Sequence, residues 1–265
     1  MYSPFQLVKK YLRYYFTASN GKGHGIHSPF VFTFITQVLN DKKNYACYKN
    51  IEQIRKQLLR DETIIELEDF GAGSGKIKST NRKVKAIAAS SLKQPKYAQL
   101  LFRMVQYYQP KQVLELGTSL GITTAYLANG NPAAQVYTCE GATQIAAIAQ
   151  QHFKQLALEN IMLVTGDFAK TLAPLLNTAG TIDVAFVDGN HRKAPTLQYF
   201  LQLLEHANEN TILVFDDIHW SAGMEEAWAE IQQHPAVTLT IDLFFIGIVC
   251  IDKGVKMKQH FTIKY

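Results

Sequence analysis

Val113-Leu114-Glu115-Leu116-Gly117-Thr118-Ser119-Leu120-Gly121 is the stretch whose reading decides the fold. Its first half is apolar apart from Glu115 and reads as a buried strand. It opens into a glycine turn, and the apolar run Ile122 to Ala128 reads as the helix that follows. Glycine lets the backbone approach a ligand closely, and the first N–H groups of a helix have no partner within it. A strand, a tight turn and a helix N-terminus therefore make a pocket suited to a nucleotide. Glu140 stands nineteen residues beyond Gly121, at the end of a second strand-like run, Gln135-Val136-Tyr137-Thr138-Cys139. A carboxylate there suits a ribose diol. Turn and acid together predict an enzyme that uses a nucleotide-containing cofactor.

Outward from this pair, strands and helices alternate. Candidate strands are 112–116, 135–140, 161–165, 182–188, 211–216, 237–242 and 245–251, with helical patterns at 122–129, 143–158, 194–207 and 223–233. The helix from Thr143 sets Ile145, Ile148, Ala149, His152, Phe153 and Leu156 on one stripe. Such alternation predicts an α/β fold with a mostly parallel sheet and right-handed crossovers. The last two strands have no helix between them and are expected as an antiparallel hairpin at one edge.

Residues 1–110 differ. They carry 18 Lys/Arg against 7 Asp/Glu, whereas residues 111–265 carry 9 against 15. The basic part either meets an anionic partner or folds against the acidic part. Residues 1–95 are expected as a basic, largely helical extension, serving as a lid built on His24, His27, Phe30 and Phe32 or as the arm of a homodimer; residues 96–265 are expected as the catalytic domain. Helices are expected at 51–59 and 97–108. The loop Gly71-Ala72-Gly73-Ser74-Gly75 imitates a cofactor motif, but Lys76-Ile77-Lys78-Ser79-Thr80 follows it instead of an apolar helix, so it reads as a surface turn. An apolar content of 47% with 18% charged residues excludes a disordered chain, and no apolar run is long enough to span a membrane. The N-terminus lacks a secretory signal core, and the three widely spaced cysteines read as reduced and buried, so the expected location is the cytoplasm.

The run Glu115 to Gly121, an acid followed by glycines spaced G-x-x-x-G, resembles the first motif of the class I S-adenosylmethionine-dependent methyltransferases. Over about residues 95–251 the chain is most similar to the small O-methyltransferases of the catechol and caffeoyl-CoA type. The resemblance implies a Rossmann-like seven-stranded sheet of order 3-2-1-4-5-7-6 with helices on both faces. It implies that Gly117, Thr118, Ser119 and Gly121 line the methionine and ribose of the cofactor, with Glu115 behind the turn near the methionine amine. Glu140, beside Gly141, would accept from both ribose hydroxyls, since a carboxylate is acceptor-only. Asp167 would accept from the adenine amino group, with Phe168 against the ring; the alternative for Asp167 is a helix N-cap.

On the acceptor side, Val187-Asp188-Gly189-Asn190-His191 and Val214-Phe215-Asp216-Asp217-Ile218-His219 end the fourth and fifth strands, and both ends are expected at the carboxyl edge of the sheet. By resemblance, Asp188, Asp216 and Asp217 would bind a divalent metal, Mg²⁺ or Mn²⁺, and Asp188 counts also among the catalytic and cofactor contacts. Oxygen ligands suit Mg²⁺, and added histidine suits Mn²⁺ or Zn²⁺. His191 stands where the family's general-base lysine is expected, and His219 is a second candidate base or ligand. The expected function is methyl transfer to a small-molecule acceptor, with oxygen preferred over nitrogen. The alternatives are an RNA methyltransferase that grips phosphate with residues 76–96, which is not favoured because no RNA-binding module is recognised, and a non-catalytic cofactor-binding protein.

Overall fold

The computed structural model describes residues 1–19, 21–69, 78–251 and 257–265, and the chain divides into two compact units, 1–41 with 180–265, and 42–179. The Gly71–Gly75 turn lies outside the described residues. No helix among them is long and apolar enough to cross a membrane. The cysteines are free, with Cys139 and Cys250 buried and Cys47 half-buried.

The chain starts with α1 (Pro4–Thr17), which is nucleated by a capping box: Gln6 N donates to Ser3 Oγ (3.3 Å) and Ser3 N donates back to Gln6 Oε1 (2.8 Å). Helix α2 (Pro29–Thr33), capped by Ser28, runs on into a π-helical stretch, Phe34–Leu39, that buries Phe34, Ile35 and Val38.

Residues 42–179 begin with α3 (Ala46–Leu58), an antiparallel ribbon of β1 (Ile64–Asp69) and β2 (Lys78–Lys83), α4 (Val84–Ser91) and α5 (Pro95–Tyr108). Part of the positive charge here is matched in the chain itself, since Glu62 accepts from Lys83 (2.8 Å) and from Lys85. Gln109, in the left-handed region at φ 50°, ends α5 ahead of Pro110. Then come β3 (Gln112–Leu116), α6 (Ile122–Gly130), β4 (Gln135–Glu140), α7 (Thr143–Gln155), β5 (Ile161–Thr165) and α8 (Phe168–Ala179). Strands β3, β4 and β5 are parallel with β4 in the middle, the expected order 3-2-1. The helices before β3 pack on α6: Ile51 and Ile54 of α3, Val84 of α4 and Phe102 of α5 share one core with Ala125 and Tyr126.

Gly121 starts α6 at φ 82°, and a Cβ there would lie 2.8 Å from the Phe153 ring of α7. Gly121→Ala therefore combines backbone strain with overpacking and is expected to cost about 2 kcal/mol or more. Urea denaturation checks this, and an unchanged midpoint would contradict it.

The other unit continues with β6 (Ile182–Val187), α9 (Lys193–Glu205), β7 (Ala207–Asp216), α10 (Ala222–Gln233), β8 (Leu239–Asp242), β9 (Ile246–Cys250) and β10 (Gln259–Thr262). Strand β6 is parallel to β7, β7 is antiparallel to β9, and β9 is antiparallel to β8 through the turn at Leu243-Phe244-Phe245. This is the expected 4-5-7-6 with its terminal hairpin. Strand β10, which the sequence reading lacks, adds in parallel to β8. It also ties down α1, because Lys264 N donates to Ser19 O (3.0 Å) and Ser19 N to Thr262 O (2.9 Å). The chain is an α/β protein with a mostly parallel sheet.

Candidate functional site

The glycine turn is anchored to the neighbouring strand. Gly117 N and Thr118 N both donate to Cys139 O at 3.0 Å, Gly121 N closes onto Thr118 O at 2.9 Å, and Ser119 takes a left-handed conformation at φ 47°. Behind the turn Glu115 is fully buried, and its Oε2 accepts from Thr138 (2.7 Å) and Thr124. The Thr118 hydroxyl meets that of Thr138 at 2.6 Å, so it faces inward, toward the Glu115 network. Glu115 thus lies behind the turn, and the Thr118 hydroxyl is committed to the interior. A buried carboxylate with hydroxyl donors fixes the turn in one shape.

Glu140 ends β4 at the mouth of this turn. Its Oε2 accepts from Ser119 N (2.8 Å) and its Oε1 from Ala142 N (3.0 Å), so the carboxylate joins the turn to the start of α7. Each oxygen retains a further lone pair for a ligand hydroxyl. Burial pushes the Glu140 carboxyl up from its usual range, against the N–H groups of Ala142, Ser119 and Gly141, which favour the anion. A Cβ on Gly141 would meet nothing within 4 Å. Asp167 is the N-cap of α8, accepting from Ala169 N (3.0 Å) through its side chain; Phe168, half-buried, is the first residue of that helix. The sequence reading did not single out Thr124, Thr138 or Ser91. Ser91 at the end of α4 places its Oγ 2.8 Å from that of Ser119. His152, read only as a packing residue on α7, has Nδ1 3.0 Å from Leu120 O and steadies the turn.

In the other unit, Asp188 follows β6 and Asp216 ends β7. Asn190, left-handed at φ 62°, turns the chain so that His191 Nε2 comes within 3.4 Å of Asp188 Oδ1. One ligand atom each from Asp188, His191 and Asp216 lies within 4.8 Å of the others, and Asp216 is buried. Two carboxylates and an imidazole at this spacing fit a divalent metal, Mn²⁺ or Zn²⁺ better than Mg²⁺. The expected set is Asp188, Asp216 and Asp217; the residues whose donor atoms lie together are Asp188, His191 and Asp216. Asp217 adopts φ 53° and donates its N–H to Phe245 O (2.7 Å), so the chain reverses directly after Asp216. Asp217 is not a member of the group.

His219 lies among a different set of partners. Its Nδ1 lies 3.0 Å from Glu225 Oε1 and its Nε2 2.8 Å from Asp242 Oδ2, while the ring stacks on Phe244 at 5.1 Å. Both nitrogens are engaged by carboxylates in this structure. Glu225 also accepts from Lys10 Nζ (2.9 Å) and Tyr2 OH (2.7 Å), so the network fastens α1. Burial by itself would lower the His219 pKa, but Asp242 and Glu225 outweigh it and raise the value above its ordinary 6.5. A raised histidine stabilises the fold fully below the unfolded value, and that stabilisation is lost as pH rises through the folded one. Thermal melting of the wild type is therefore expected to fall between pH 6.5 and the raised value, more steeply than in His219→Gln. Parallel pH dependences in the two proteins would contradict this.

Residues 114–218 match the model of a methyltransferase domain. A catechol O-methyltransferase of Niastella koreensis is 32% identical over 128 residues, 47% of this chain and 56% of that protein. The chain thus spans 36–60% of the length of the curated relatives it matches. Among solved structures, an O-methyltransferase from Bacillus cereus in complex with S-adenosylhomocysteine matches at a TM-score of 0.56 and 18% identity, covering 79% of this chain and 92% of that one. A Podospora anserina methyltransferase, also bound to S-adenosylhomocysteine, matches at a TM-score of 0.59 and 12% identity, covering 96% and 98%. At these identities the structural likeness is one of fold. The domain match places a methyltransferase domain over residues 114–218.

Proposed function

We propose that this protein transfers the methyl group of S-adenosylmethionine to an oxygen of a small-molecule acceptor in the cytoplasm, with residues 96–265 as the catalytic domain and 1–95 as an extension. One observation carries the reading: a buried-strand acid and a second carboxylate, Glu115 and Glu140, fix the glycine turn from behind and at its mouth. That arrangement suits a ligand with a ribose diol and a charged amino-acid end. Glu140 would accept from the ribose, and Glu115, Gly117, Thr118, Ser119, Gly121 and Gly141 would shape the methionine side. Asp167 and Phe168 would meet the adenine.

In the transfer, an acceptor oxygen forms a bond to the methyl carbon as the carbon–sulfur bond breaks. The products are S-adenosylhomocysteine, a neutral thioether, and the methyl ether, and the hydroxyl proton passes to solvent. Positioning supplies much of the rate. Asp188, His191 and Asp216 would hold a divalent metal. Such an ion, when bound, acidifies a coordinated hydroxyl and so eases loss of its proton. We assign His191 to ligation because one of its ring nitrogens belongs to the group of donor atoms, and its Nε2 lies 3.4 Å from Asp188 Oδ1.

The test uses S-adenosylmethionine with a labelled methyl group and a low-molecular-weight cell extract. Label recovered as the O-methyl group of a small molecule is expected. Label recovered only in added RNA would favour the nucleic-acid alternative, and cofactor binding without any labelled product would favour the non-catalytic one.

A further inference from the structure

We propose that the outward face of α1 docks on an anionic lipid surface. The helix has two apolar faces. The inner one is engaged: Tyr11 and Tyr14 pack on Phe244 with ring centroids 5.1 and 5.3 Å away, Tyr14 OH donates to Ile263 O, and Lys10 and Tyr2 hold Glu225. These contacts account for how the helix is fixed without the opposite side. There Phe5, Val8, Leu12, Tyr15 and Phe16 recur at helical spacing along one stripe. Phe5 is 80% and Phe16 77% exposed, and the other three are about half exposed. Burial within the chain gives no reason for five large apolar side chains on that line.

Charge identifies the occupant. The first 40 residues contain Lys9, Lys10, Arg13 and Lys22 and no Asp or Glu. At 100° per residue Lys9 and Arg13 border the stripe on one side, and on the other Lys264 Nζ lies 4.9 Å over the Tyr15 ring. An aromatic-rich stripe between cations, on a helix too short and too polar to cross a membrane, is the pattern of a helix lying in the plane of an anionic bilayer surface. A second copy of the chain fits less well, because pairing two such faces sets cation against cation. Five side chains also expose only several hundred Å², short of the roughly 800 Å² per partner of a stable complex.

The test is co-sedimentation of the full chain with vesicles of phosphatidylcholine alone and of phosphatidylcholine mixed with phosphatidylglycerol. Binding to the mixed vesicles is expected, weakening with added salt. The double variant Phe5→Ser, Phe16→Ser is expected to bind about tenfold or more weakly, as is Lys9→Glu, Arg13→Glu, with thermal melting unchanged because these side chains are exposed. No binding by the wild type, equal binding to the two vesicle types, or binding undiminished in the Phe variant would each overturn the proposal. A wild-type dimer that becomes a monomer in the Phe variant, with no vesicle binding, would assign the face to a second copy instead.

Discussion

Glu140→Ala is expected to weaken S-adenosylmethionine binding by about two orders of magnitude. In the cofactor complex the carboxylate would accept from two ribose hydroxyls, and charge-assisted hydrogen bonds are worth about 1.5–3 kcal/mol each, less the cost of desolvation. The variant also leaves Ser119 N and Ala142 N without the acceptor that aligns the turn with the start of α7. Glu140→Gln keeps the size and one acceptor oxygen but loses the charge, so an intermediate affinity is expected. Equilibrium dialysis with labelled cofactor measures all three proteins. Equal affinity in the wild type and the alanine variant would remove Glu140 from the site.

The second large effect concerns the metal. At about a hundredfold excess over its dissociation constant, Mn²⁺ should stabilise the wild type by about 2.7 kcal/mol, read as a rise in melting temperature. Asp216→Ala should abolish the rise, and the methyl-transfer rate should fall by a factor on the order of 10² or more. His191→Ala should also lose the rise. Asp217→Asn should keep it, since asparagine tolerates the left-handed backbone at this position. Should His191 act as a base and not as a ligand, His191→Ala would retain the shift and would instead alter the pH–rate profile. Equal shifts in the wild type and Asp216→Ala would eliminate the site.

The parallel strands were legible because each is a short apolar run closed by Gly, Asp or Glu. The hairpin was legible because only Leu243 to Phe245 separates its strands, too few residues for a helix. Strand β10 was not: Gln259-His260-Phe261-Thr262 is short and mostly exposed, and it owes its place to pairing with β8. Helix α8 was seen only as a cap at Asp167, and its interior Pro174 weakens the helical pattern. In the site, Glu140 and the glycine turn follow from local spacing. Asp217 and His219 stand apart from the group of Asp188, His191 and Asp216 because neighbours in sequence at a strand end need not face the same way: Asp217 adopts φ 53°, and His219 meets Asp242. The Thr124–Glu115–Thr138 network joins three separate elements, and no spacing along the chain announces it.

The central claim is that the turn at Gly117–Gly121 is an S-adenosylmethionine site, and calorimetric titration of that cofactor into the purified wild-type chain tests it most directly. The expected result is saturable binding at a single site, with S-adenosylhomocysteine competing for it. Absence of heat for both compounds, with no change in melting temperature at saturating cofactor, would contradict the account.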